Sequence, residues 1–61
     1  MNPFKQAFDA AIDRGEDEYT AKCCAKILYA DHVHMLYDKA YSNEFIIEKL
    51  NEYSRQLAEV I

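Results

Sequence analysis

The stretch from Glu18 to Tyr41 contains neither glycine nor proline, and wound at about 100° per residue its apolar side chains point in every direction. Ile27, Ala30, Tyr37 and Tyr41 fall along one side and Cys24, Leu28 and Met35 along another, with Ala25, Tyr29 and Leu36 between them. A helix that is apolar all round does not persist in water unless something covers it. A single neighbour cannot hide three such faces, so this segment is expected to be the central element of the fold. Whatever surrounds it must come from the rest of the chain or from another molecule.

The chain has little material with which to do the covering. Its 61 residues make one domain at most, and a domain of that size buries only about 60% of the surface its unfolded form exposes. Small domains usually draw extra stability from disulfides, a structural metal or self-association. The two cysteines, Cys23 and Cys24, are adjacent. Neighbours on a helix diverge by about 100°, which rules out a bridge between them inside a helix. Self-association is what remains.

The flanking segments read clearly as helices. Asn2 is placed to cap a first helix, Pro3 suits its first position, and Gly15 is where a left-handed turn would end it. The spacing predicts a helix over about 3–14, with Phe4, Ala7, Phe8, Ala11 and Ile12 on one arc and Lys5, Asp9 and Asp13 opposite. Phe4 and Phe8 are its expected anchors. Asp17 should cap the second helix, over about 18–41, and the acidic Glu16, Asp17 and Glu18 suit the positive end of its macrodipole.

Ser42 and Asn43 break the apolar pattern, so a bend is expected there, although a helix continuous through Ser42 is also open. A third helix follows over about 44–60. Ile46, Leu50, Tyr53, Leu57 and Val60 recur at spacings of four and three residues, widened by Ile47, Ala58 and Ile61. No segment alternates with the period of two that a strand needs. The expected fold is all-α, a small three-helix bundle in one domain (helix, turn, long helix, helix), completed by homo-oligomerisation.

Charge excludes some partners. Seven Lys and Arg stand against eleven Asp and Glu, a net charge of −4. That is the wrong sign for neutralising phosphates, so direct nucleic-acid binding is not expected. Nothing resembles a signal peptide, no apolar run approaches the roughly 20 residues that span a bilayer, and free thiols suit a reducing cytoplasm. No membrane association is expected.

Several side-chain constellations bear on chemistry. Asp31, His34 and Asp38 share a stripe of the second helix, but D-x-x-H-x-x-x-D lacks the paired ligands of established metal motifs and reads more simply as a solvated stripe. His32 and His34 diverge by about 160° on a helix and cannot hold one ion together. The cysteine pair reads first as small buried hydrophobes, since only Lys22 and Lys26 lie near to lower a thiol pKa. No catalytic triad spacing and no glycine-rich phosphate loop occurs. The chain is therefore expected to be no enzyme and to need no cofactor or metal.

Five tyrosines and three phenylalanines carry more information. Tyrosine joins a large apolar body to a hydroxyl that tolerates water, and it is enriched at interface hot spots. The expected oligomer or partner interface comprises Ile27, Ala30, His34, Tyr37 and Tyr41 of the second helix with Leu50, Tyr53 and Leu57 of the third. An alternative uses acidic Glu44, Glu48, Glu52 and Glu59 as a nucleic-acid mimic directed at a basic groove, because the like charges of Glu44, Glu48 and Glu52, four residues apart, cost a helix about 0.2–0.5 kcal/mol per pair unless something uses them. A metal or redox sensor is a third reading. No family resemblance emerges from these residues. The expected function is that of a small cytoplasmic regulator, adaptor or inhibitor, of the size that phages and plasmids carry, which forms a homodimer and binds another protein.

Overall fold

A computed structural model describes residues 1–61 as three helices and no strand. α1 spans Pro3–Asp13, α2 Glu18–Asp38 and α3 Asn43–Ala58. Each begins at a side-chain cap. The Asn2 carboxamide oxygen accepts from the backbone N–H groups of Phe4 and Lys5 at 3.1 and 3.2 Å, and Asp17 accepts from Thr20 N–H at 2.7 Å. Ser42 Oγ accepts from Phe45 N–H at 3.3 Å. These bonds satisfy donors that a helix start leaves without internal partners.

The two turns close differently. After α1, Gly15 sits at φ +93°, its N–H donating to Ile12 O at 2.9 Å while Glu16 N–H donates to Ala11 O at 3.0 Å. That pair of bonds is the Schellman arrangement, for which glycine is suited because it lacks a Cβ. α2 stops at Asp38, not at Tyr41 as the pattern predicts. The reason is Ala40, whose φ of +55° turns the backbone out of the helix, with Ala40 N–H donating to Tyr37 O at 3.3 Å. The Ser42 cap then starts α3, so the helix is not continuous through Ser42. α3 begins one residue earlier than its apolar pattern suggests and ends at Ala58, its tail closed by bonds from Val60 and Ile61 N–H to Leu57 O.

α1 and α3 lie along one side of α2, with α1 the more extensively packed of the two. Ala11 of α1 and Ala21 and Ala25 of α2 are fully enclosed, and side chains this small let the two backbones approach closely. α3 covers the other half, where Leu36 and Ile46 are buried. The groups meet at the middle of α2 around Phe4, the one large side chain with no exposed surface. Its ring stands edge-on to Tyr29, His32 and Tyr53 at 5.8, 5.3 and 5.8 Å, and His32 is edge-on to Tyr53 at 5.2 Å. Such arrangements align positive ring edges with negative faces.

Polar bonds stitch the same junction. Asn2 Nδ2 donates to Gln56 O at 2.8 Å and to Glu59 Oε2 at 2.9 Å, while Gln56 Nε2 donates to Met1 O at 3.1 Å. The chain's beginning is thereby tied to the end of α3. The outcome is elongated, 40 × 19 × 17 Å with a radius of gyration of 12.5 Å, against about 10.5 Å for a compact chain of this length.

Candidate interaction surface

Two short helices along one side of a longer one leave its other side bare. Residues 21, 25, 28, 32 and 36 of α2 turn toward α1 and α3, all of them buried or half-buried. The opposite arc carries Tyr19, Ile27, Ala30, His34 and Tyr37, all exposed. Tyr19 keeps 77% of its surface accessible, Ile27 63% and Tyr37 60%. These are large apolar groups on a regular helix with nothing of the same chain over them, the kind of patch that marks association surfaces.

The residues singled out from the sequence therefore occupy separate places. Ile27, Ala30, His34 and Tyr37 stand together on the outer face of α2. Tyr41 lies beyond the end of α2 and packs on Phe45 at 4.5 Å between ring centroids. Leu50, Tyr53 and Leu57 are half-buried on α3. Tyr53 belongs to the ring cluster at the junction, and Leu57 lines a shallow depression with Tyr29 and Ile61. They do not form one surface with the outer residues of α2.

The acidic residues are also divided. Glu44 and Glu48 are exposed, whereas Glu52 takes a salt bridge from Lys49 at 3.2 Å and Glu59 accepts from Asn2. That bond to Glu52 raises the Lys49 pKa above its usual value. A row of free carboxylates is thus interrupted at two of its four members. Asp31, His34 and Asp38 are exposed, and no three His, Cys, Asp or Glu side chains converge as a metal site requires. Cys23 and Cys24 are free thiols, both half-buried. No helix is long and apolar enough to cross a membrane.

Two features escaped the sequence reading. One is a cleft of about 300 Å³ at the α2–α3 turn, lined by Met35, Leu36, Tyr41 and Phe45 together with Lys39 and Lys49. Phe45, out of register with the apolar stripe of α3, was the available signal. The other is His32, whose Nδ1–H donates to Leu28 O at 3.0 Å while its ring packs among aromatics. A histidine four residues after a leucine carries no signal for that role.

No protein-family model, curated protein or solved structure matches this chain. The reading of function therefore rests on the residues and their placement.

Proposed function

We propose that this chain is a small non-enzymatic regulator or adaptor that works by protein–protein association, pairing with itself and engaging another protein, in a reducing cytoplasm. The observation that carries this reading is the bare apolar side of α2, where Ile27 and Tyr37 remain mostly exposed. Ordinary monomers scatter exposed apolar residues singly, while contiguous ones on a rigid element mark interfaces. The tyrosines add the residue type that contributes most at such contacts. Two free thiols are compatible with a reducing compartment.

The test is sedimentation velocity at micromolar concentration, with circular dichroism to confirm folding. A helical species of twice the chain mass is expected. A folded monomer across that range would count decisively against the reading. The nucleic-acid-mimic alternative receives no support from the placement of Glu52 and Glu59, both already engaged within the chain.

A further inference from the structure

The outer face of α2 has a regular order that its overall composition hides. Cys23, Ile27, Ala30, His34 and Tyr37 are separated by four, three, four and three residues, the spacing of a coiled-coil seam. Assigning Ile27 and His34 to positions a makes Cys23, Ala30 and Tyr37 positions d. Ala25 and His32, which face α1 and α3, then fall at f, directly opposite the seam. Ile27, Ala30, His34 and Tyr37 of the seam are exposed and Cys23 is half-buried, so the seam is the side of α2 that the rest of the chain covers least.

The flanks specify the occupant. Lys26 falls at g and Asp31 at the following e, both exposed, and neither joins any of the salt bridges within the chain. In a parallel in-register pair a g residue lies beside the e residue five positions further along the partner helix. Two Lys26–Asp31 pairs then form by symmetry. In an antiparallel pair like flanks meet, so the edge carrying Asp31 and Asp38 would face its own copy. His34 adds an independent constraint, because a polar residue at a is better matched by its own copy than by an apolar side chain, and two imidazoles can share a hydrogen bond.

We infer that a second copy of this chain docks on the outer face of α2 as a parallel, in-register helix pair, with Lys26 of each copy facing Asp31 of the other. This rests on the proposed self-association and names the surface and the orientation. α1 and α3 lie on the far side of each α2 and stay as they are. With only two heptads in the seam, the pair forms at micromolar rather than nanomolar concentrations.

The test uses the full chain carrying a single cysteine. Cys24→Ser leaves Cys23 at d, and Cys23→Ser/Cys24→Ser/Ala30→Cys moves the thiol one heptad along. Both are treated with oxidised glutathione, which takes two electrons and two protons as it splits into two reduced molecules while two protein thiols become one disulfide. A parallel in-register pair brings both positions within bridging distance of their own copies, so both variants are expected to yield covalent dimer in high proportion. An antiparallel pair can bring at most one of the two positions to its twin. In parallel, Lys26→Glu is expected to weaken association about tenfold and Lys26→Glu/Asp31→Lys to restore it. A dimer in sedimentation that cross-links at one position or neither, or that ignores the charge reversal, overturns the orientation and leaves the proposed function standing. A chain that stays monomeric overturns both.

Discussion

Ala40 is the residue where local chemistry and fold disagree most. Its φ of +55° is a left-handed conformation that costs an L-residue with a Cβ about 1–2 kcal/mol. The chain accepts this because the turn must aim α3 back along α2. Ala40→Gly removes the penalty, partly offset by about 0.4–1 kcal/mol of extra unfolded-state entropy, so urea denaturation should show a gain of about 0.5–1 kcal/mol. Gly15→Ala, at φ +93°, should move the midpoint the other way. Asn2 combines a helix cap with two bonds to α3, and Asn2→Ala should cost at least the ~1 kcal/mol typical of a lost cap.

Titration acts at the same scale. The hydrogen bond from Thr20 N–H, seconded by the Thr20 side chain, holds the Asp17 carboxyl below its ordinary value of 3.8. A group whose pKa is lower in the folded state binds fewer protons there than in the unfolded chain. Its contribution is therefore complete above pH 3.8 and disappears as the pH falls through the lowered value. Lys49, raised above 10.5 by Glu52, behaves in the opposite sense: its contribution is complete below 10.5 and is lost as the pH rises through the folded value. Thermal melts from pH 5 to 2 should lose less stability in Asp17→Asn than in the parent.

At the scale of the element, α1 and α3 are strongly amphipathic and α2 hardly at all. The inward faces of α1 and α3 were legible for that reason. Phe4 and Ala11 lie on the predicted arc of α1 and are fully enclosed, and Ile46 of the predicted α3 stripe is buried, whereas Ile12 at the edge of the first arc and Ile47, Ala58 and Ile61, expected to widen the second, are exposed. For α2 the period carries no direction, and the choice fell to alanines: Ala21 and Ala25 are fully enclosed, whereas Ala30 is exposed. Nothing in an isolated alanine distinguishes these positions. The prediction is a contrast between them. Ala25→Leu should destabilise by about 1–3 kcal/mol through overpacking, and Ala30→Leu should leave the folded chain's stability unchanged or improve it, both read by urea titration.

For the whole molecule, six enclosed side chains and one ring cluster hold 61 residues together. Net stability for a chain of this length is about 3–9 kcal/mol on general grounds. Phe4→Ala, which removes the central ring at a typical cost of about 3–5 kcal/mol, should take away about half or more of that stability, read as a large drop in the urea midpoint by circular dichroism. If association contributes, the melting temperature of the parent should rise with protein concentration, because a partner that binds only the folded form stabilises it by mass action. Melts over a hundredfold concentration range would read this directly.

The caps at Asn2, Asp17 and Ser42 and the turn at Gly15 were determined by the sequence alone, because capping depends on a side chain and the backbone two or three residues away. So was the all-helical class, which follows from unbroken helical periods and the absence of alternation. Where α2 ends, which of its faces is covered, and that α1 and α3 meet at Phe4 were decided only by tertiary structure. Those choices depend on how closely one backbone can approach another and on which rings meet across three helices, quantities that no local spacing encodes.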